Sequence, residues 1–455
     1  MQGTMVQILA ARHAAGNPLR VGLIGAGKLG AMLACQLGRI PGVQLLGVAD
    51  LSVDRARAAM QRAGWPEERY TARNFDDARR TGKTFLTDDA KKLIAADGLD
   101  VVVEATGVPD VGISHAFEAI ENRRHIVMLT AEADVLLGPL LGQKAAAAGV
   151  VYSMGYGDQP ALICELVEWA QVCGFDVVCA GKGSRYLPTS PAVNPDNVWQ
   201  YHGFSAERIA RKEDNARLYT TFADGTKCCI ESALVTNATG LIPQPEGLAF
   251  PPCSTDDLAN VLRPRSDGGV LTHKGTVECA ADTERDGRPI PQNMRLGVYV
   301  VFEAANDFIK QSLVEYHMKL DSSGRYAAMY RPFHLVGLEL SVSVLRAGLL
   351  GQATGSSTCF AADVVARAKR NLLAGETLDG DGGYTVYGTL RPAKQSVRDG
   401  ELPVGLAYNM RLKRAVSEGA VIHWADVEYD ASAPLIGLRR EMEAKFLGTS
   451  GTEGA

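Results

Sequence analysis

The chain of 455 residues lacks an uninterrupted apolar run long enough to span a bilayer. Its best candidate, Leu335 to Leu350, is broken by Glu339 and Arg346, so no membrane partner is expected. It lacks a basic excess as well. A formal charge of -5 and a pI near 6.0 give no general positive field, which argues against nucleic acid as a partner. The first residues lack the basic segment, apolar segment and small-residue cleavage site of a secretory signal. The nine cysteines lack paired metal spacing; the only close pair, Cys228-Cys229, is vicinal. They read as reduced core residues of a cytoplasmic protein. The histidines form no metal-spaced cluster, which disfavours a zinc site. What remains, 46% hydrophobic and 22% charged, is the balance of a globular protein of about two to four domains.

What is there begins at Gly25-Ala26-Gly27-Lys28-Leu29-Gly30. The apolar run Leu19 to Ile24 precedes it and the helical stretch Ala31 to Leu37 follows it. Strand, glycine turn and helix together form the context of a dinucleotide-binding fingerprint. The first glycine permits the tight turn, the second admits a pyrophosphate and the third lets helix and strand pack closely. A second strand, Val43 to Ala49, ends at Asp50, placed to accept hydrogen bonds from the adenosine ribose. Asp50 favours NAD, whereas Arg55 and Arg57 could bind the 2′-phosphate of NADP, so the cofactor reads as NAD(P). Helix N-cap is the structural alternative for Asp50.

Three further strand-to-loop transitions continue the pattern. Asp100 to Glu104 runs into Ala105-Thr106-Gly107, His125 to Leu129 into Thr130-Ala131-Glu132, and Val150 to Met154 into Gly155 to Pro160. With helices at Val111 to Glu121 and Val135 to Ala148, this is an α/β fold: a doubly wound parallel Rossmann sheet. Ligands of such sheets lie beyond the strands' carboxyl ends. Ala105, Thr106, Gly107 and Thr130 are therefore expected beside the cofactor.

Boundaries are expected at 1–160 for this domain and 161–355 for an α+β substrate and dimerisation domain. A small β module at 356–446 and a disordered tail at 447–455 complete the organisation. Residues 64–85 read as a polar insertion leading to a helix near Thr87. In the second domain, Ala161 to Cys173 reads as a helix and Asp176 to Ala180 as a strand ending in the turn Gly181-Lys182-Gly183. Strands are expected at Arg217 to Phe222 and Lys227 to Ser232 around an Asp224-Gly225 turn. Pro243 to Pro264 reads as an ordered loop with the character of a lid. Arg367 to Leu378 and Leu412 to Ile422 resemble each other, which suggests internal pseudo-symmetry.

Catalytic candidates follow from the needs of a nicotinamide enzyme, which must polarise a carbonyl or alcohol and move one proton. Lys182, between two glycines, can stabilise a developing alkoxide; a surface lysine in a flexible turn is the alternative. Asp158 and Glu132 follow strand ends, where each is either a proton relay or a loop-capping acid. Arg331 can fork onto phosphate or carboxylate, and His334 is an acid, a ligand or a core histidine. Asn237-Ala238-Thr239-Gly240 offers neutral donors for hydroxyls, and Lys274 and Lys319 are further anion contacts or solvated cations.

These blocks, with Gly268-Gly269-Val270-Leu271-Thr272 and Arg331-Pro332-Phe333-His334-Leu335, resemble the deoxyxylulose-phosphate reductoisomerase-like oxidoreductases, which are related to homoserine dehydrogenases. The resemblance covers nearly the whole chain, and the last ninety or so residues resemble the SAF domain, a β-clip module. It implies a Rossmann domain, a dimerising substrate domain and NADPH-dependent conversion of 1-deoxy-D-xylulose 5-phosphate to 2-C-methyl-D-erythritol 4-phosphate. It also implies active-site positions at Lys182, Arg331 and His334. The chain departs from the family at Asp50-Leu51-Ser52, where the family carries basic residues. A catabolic dehydrogenase of another C4 or C5 sugar, sugar phosphate or sugar acid therefore also fits. Homoserine dehydrogenase and a non-catalytic dinucleotide sensor are the other readings. A small-molecule substrate and a homo-oligomer, dimer or tetramer, are expected. Reductoisomerase chemistry would add a divalent metal.

Overall fold

The structure, a computed structural model, describes residues 3–211 and 214–448. It divides into two compact units, 1–162 with 335–358, and 163–334 with 359–455. The chain thus returns to the first unit at 335–358, a crossing absent from the boundaries drawn on the sequence.

The first unit is built on six parallel strands, β1 Leu19–Ile24, β2 Val43–Ala49, β3 Phe85–Thr87, β4 Val101–Glu104, β5 His125–Met128 and β6 Tyr152–Met154. Their order, β3-β2-β1-β4-β5-β6, is that of a dinucleotide-binding Rossmann sheet. These strands are apolar almost throughout because helices cover both faces of such a sheet. The edge strand β3, absent from the sequence reading, begins at the end of the stretch read as a polar insertion, and the helix expected near Thr87 runs from Ala90 with Asp89 as its N-cap. Leu340 and Val344, from the stretch that came nearest to a membrane span, belong to this core. No helix among the described residues is long and apolar enough to cross a membrane.

The second unit contains a mixed sheet of β7 Asp176–Ser184, β8 Thr276–Ala281, β9 Val298–Glu303, β10 Lys319–Leu320 and β11 Tyr326–Arg331, in the order β10-β11-β9-β7-β8. Two expected strands are absent. Ala216–Ala223 and Thr226–Thr239 are helices, and Asp224-Gly225 turns between them. The helix Thr226–Thr239 is buried from Thr226 to Asn237. It packs on β7 and β8 and also on β12 Ala362–Ala368 and β14 Val386–Pro392. A helix covered on all sides has no polar face, so its sequence shows no helical period and reads as a buried strand. The proline-rich loop is packed, burying Phe250, Cys253, Leu258 and Leu262. Glu278 pins it by accepting the N–H groups of Ala249 and Phe250 at 3.0–3.2 Å.

The two similar segments near the C-terminus pair with each other. Leu372 and Val416 exchange both N–H···O bonds, at 2.8 and 3.0 Å, and Gly375 and Gly419 occupy equivalent left-handed turns. The strands β13 Thr377–Asp379, β15 Tyr408–Leu412 and β16 Val427–Glu428 form an adjoining sheet. Leu447, expected in the tail, closes the helix Pro434–Leu447, and Gly448 caps it; residues 449–455 lie outside the described residues.

That helix is anchored by Arg439, fully buried, which donates to Asp363 at 2.6 Å and Glu443 at 2.8 Å. Arg439→Ala strands two buried carboxylates. It is expected to lower the unfolding free energy by about 3–5 kcal/mol in urea denaturation. A change below about 1 kcal/mol would show that the cluster holds nothing in place.

Candidate active site

In the first unit the glycine turn after β1 is shaped by three different constraints. Gly25 has φ +95°, and a Cβ there would lie 2.5 Å from the carbonyl oxygen of Ala105. Gly30 faces Gly25, whose carbonyl a Cβ on Gly30 would overlap. Gly27 differs: a Cβ would meet nothing within 4 Å. Gly27 is the N-cap of the helix Lys28–Leu37 and offers no side-chain cap, so the first amides are left for an anion. Lys28 is exposed and Leu29 half-buried at this end. Asp50 braces the turn. Its Oδ2 accepts the Ala26 N–H at 2.9 Å, while its Oδ1 lies 3.2 Å from Arg55 Nε.

The loop after β4 is held by Glu104, a residue that sequence reasoning passed over as the end of a strand. Fully buried, Glu104 accepts the hydroxyls of Thr106 and Thr130 and the Thr106 N–H, and Thr130 Oγ1 accepts the Gly107 N–H at 3.1 Å. A carboxylate closing the apolar run Val101 to Val103, two residues before a threonine, was the available signal. Glu132 lies half-buried in the first turn of the helix Ala131–Ala147. Asp158 stands at the start of the helix Gln159–Val172, its Oδ1 accepting the Gln159 N–H at 3.0 Å and its carbonyl the Leu162 N–H at 3.3 Å. That is the position of a capping acid.

In the second unit Lys182 lies within β7, not in a turn after it. Gly181 and Gly183 are in a strand because their neighbours press close: a Cβ on either would overlap the carbonyl of Glu278 or of Met294. Lys182 is 7% exposed and donates through Nζ to Glu231, on the buried helix Thr226–Thr239. Burial pulls the ammonium pKa down, but the Glu231 carboxylate, with Cys228 and Cys279 beside it, more than compensates, so the net shift is upward. The lysine is a charged, dry, fixed cation. Beside it, the hydrogen bond with Cys279 chiefly pulls down the Cys228 thiol, burial opposes this, and Lys182 adds to the lowering.

Register brings the other two candidates of this unit to the same end of the sheet. Lys182 pairs with Val298, and Val298 with Arg331. Paired residues share a face, so Lys182 and Arg331 point to one side, about 10 Å apart at Cα. The turn Met294–Gly297 leading into β9 accepts the Gly183 N–H through the Gly297 carbonyl, and the Leu296 carbonyl accepts from His334 Nδ1 at 2.9 Å. Lys182, Arg331 and His334 are thus gathered there; Glu132 and Asp158 belong to the other unit. Arg331 also stacks over Phe333 at 4.8 Å.

Asn237 is structural rather than a hydroxyl donor. Its Oδ1 accepts the N–H groups of Ala361 and Ala362 at 2.9 Å, and Gly240 ends the helix in a left-handed cap. Lys274 and Lys319 pair with Glu303 and Asp256. Glu231 was missed because its segment read as a strand. Among the described residues, no three His, Cys, Asp or Glu side chains come together so as to hold a metal ion.

Residues 157–340 match the family model of the oxidoreductase DRL catalytic domain. The segment is thus similar to an oxidoreductase catalytic domain. The match spans less than half of the chain and includes Lys182, Glu231, Arg331 and His334. No curated protein matches the chain. Among solved structures, a probable dehydrogenase from Thermotoga maritima is 14% identical with a TM-score of 0.38, over 74% of this chain and 90% of that one. A scyllo-inositol dehydrogenase from Lactobacillus casei, solved with NAD(H) and scyllo-inositol, is 12% identical with a TM-score of 0.35, over 69% and 76%. Likeness of this degree fixes neither substrate nor cofactor.

Two measurements follow from the first unit. Gly27→Ala, with φ at −71° and open space around it, is expected to leave the melting temperature unchanged while weakening NAD(P) binding in calorimetry. Unaltered affinity would remove Gly27 from the cradle. Separately, burial pushes the carboxyl of Asp134, which accepts from Ser357 at 2.9 Å, up to about 7. The folded chain keeps this proton between about pH 4 and 7 while the unfolded chain releases it. Stability from this group is therefore full below about pH 4 and is lost as pH rises, by up to about 1.4 kcal/mol per pH unit. Asp134→Asn should flatten the pH dependence of urea unfolding across that window; an unchanged slope would refute the assignment.

Proposed function

We propose that the chain is an NAD(P)-dependent oxidoreductase of the DRL family, acting on a CH–OH or C=O group of a small polyhydroxy, phosphorylated substrate. The observation that carries this reading is the buried Lys182–Glu231 pair, in the same cross-sheet row as Arg331, within the segment matched to an oxidoreductase catalytic domain. The Rossmann strand order and the open cradle at Gly27 support a dinucleotide as the redox partner. Gly25, Ala26, Gly27, Lys28, Leu29 and Gly30 would line its diphosphate, Asp50 its ribose, and Ala105, Thr106, Gly107 and Thr130 its nicotinamide end.

When bound, the nicotinamide accepts or supplies the two electrons of the reaction. The chain's own residues handle charge and protons. Lys182, held as an ammonium, polarises the substrate oxygen and donates the proton that oxygen needs as it becomes an alcohol. In the oxidative direction the same nitrogen, deprotonated, takes back the hydroxyl proton as the hydride leaves. Glu231 keeps the ammonium aimed and charged in a site too dry to solvate it. Arg331, about 10 Å along the row, suits a phosphate or carboxylate at the far end of a substrate of four or five carbons. His334 stands at the same edge and can contact a hydroxyl. Glu132 and Asp158, which belong to the first unit, are secondary candidates for moving a proton.

Conversion of 1-deoxy-D-xylulose 5-phosphate is the specific activity to test first. Cofactor oxidation with NADPH, with and without manganese, is the expected result, and its absence removes the reductoisomerase reading. A panel of C4 and C5 sugar phosphates and sugar acids with both cofactors then finds the substrate of a catabolic dehydrogenase. For the mechanism, Lys182→Met with Glu231→Gln removes both charges together, so neither is stranded. Turnover is expected to fall by about 10²–10⁴ while the melting temperature stays near that of the parent. A folded double variant with parental turnover would end the assignment.

A further inference from the structure

We propose that Arg185, Asp282 and Arg295 form a second small-molecule site, built for a carboxylate that carries a hydroxyl on the next carbon. The proposal uses neither the dinucleotide nor Lys182, so it goes beyond the redox reading and stands apart from it. Strand β7 ends at Ser184 and β8 at Ala281, and these two residues pair. The Asp282 N–H donates to the Ser184 carbonyl at 2.9 Å, which brings Asp282 level with Arg185. Arg295 belongs to the turn Met294–Gly297, which closes over Gly183: a Cβ there would overlap the Met294 carbonyl. Successive strand residues alternate faces, so Met294 lies on the face opposite Lys182.

Two buried polar atoms of this cluster have no hydrogen-bond partner among the described residues. They are Nε of Arg185, a donor, and Oδ1 of Asp282, an acceptor. The Asp282 side chain is 7% exposed, and its Oδ2 lies 3.6 Å from Arg295 Nε. Burial lifts the Asp282 carboxyl above its ordinary value, and the guanidiniums of Arg295 and Arg185 both oppose the lift. Arg185 lies half-buried over the Tyr201 ring at 5.2 Å, yet among the described residues its guanidinium makes no hydrogen bond or ion pair. Desolvated donors and acceptors are costly to leave unpaired. One ligand satisfies both atoms if it carries an acceptor and a donor side by side. Two guanidiniums against one carboxylate leave a single net positive charge, which suits a monoanion. A carboxylate forks onto the guanidiniums while the adjoining hydroxyl donates to Asp282 Oδ1. The Arg295 side chain, 45% exposed, marks the side of the cluster open to solvent.

Ligand-observed NMR titration of the full chain tests this with three probes: lactate, propionate, which lacks the hydroxyl, and methyl lactate, which lacks the charge. Lactate should bind about tenfold or more tighter than either, the scale of one buried polar group left unpaired. Arg185→Gln should weaken lactate by about tenfold or more. Asp282→Ala should cut the preference for lactate over propionate to less than about threefold. Lys182→Met with Glu231→Gln should leave lactate affinity within about twofold of the parent. Thermal melting checks that the variants fold; Arg295→Gln, at the more exposed arginine, should weaken lactate in the same sense if Arg185→Gln does not fold. Absence of lactate binding, or equal binding of lactate and propionate, overturns the proposal. So does lactate binding that survives loss of either arginine, or that disappears with Lys182 and Glu231. Each of these outcomes leaves the dinucleotide reading standing.

Discussion

The ion pair between Lys182 and Glu231 is the constraint on which the second unit depends. A lysine 7% exposed keeps its charge only if a carboxylate is delivered to it in the same dry space. The helix Thr226–Thr239 makes that delivery. It is buried between the mixed sheet and the strands β12 and β14, and each contact fixes its register. Thr226 accepts the Gly388 N–H at 2.8 Å at one end, Glu231 meets Lys182 in the middle, and Asn237 holds Ala361 and Ala362 at the other. The C-terminal β strands therefore form part of the wall that positions the candidate catalytic charge.

The first unit solves a different problem with a similar device. Its glycine turn must leave backbone amides uncovered, and uncovered amides need a scaffold around them. Asp50 supplies it from β2 and Glu104 from β4, each carboxylate spending its acceptors on loop N–H and hydroxyl groups. Buried acids thus organise the loops after β1 and β4 of one unit, and in the other Glu278 organises the loop at Ala249-Phe250. Such groups are costly to bury, which is why each is satisfied by several donors.

Much of the first unit was legible in the sequence because its signals are local. The runs Leu19–Ile24 and Val43–Ala49 are apolar strands bounded by turn residues, and Gly25, Gly27 and Gly30 are fixed by constraints of adjacent backbone. The repeat near the C-terminus was also visible, since both copies carry the same turn with a left-handed glycine, Gly375 and Gly419. The helices at Ala216–Ala223 and Thr226–Thr239 were not legible. The helix Thr226–Thr239 is covered on every side and mixes polar with apolar residues around its circumference, which erases the 3.6-residue period that would distinguish it from a buried strand. With that helix went Glu231, and with Glu231 the reason for Lys182 to be charged. Gly181 and Gly183 misled in the opposite direction: they read as a turn, yet they belong to a strand whose neighbours leave no room for a side chain.

The sequence by itself determined five of the six parallel strands of the Rossmann unit and the turn at Gly25–Gly30. Short-range sterics and hydrophobic period decide such features, and both are written in neighbouring positions. Only the tertiary structure decided which partners the candidate side chains have: Glu231 for Lys182, Ala26 and Arg55 for Asp50, and one cross-sheet row for Lys182 and Arg331. Partners far apart in the chain are joined by packing and strand register, and these depend on the whole fold's burial rather than on any local pattern.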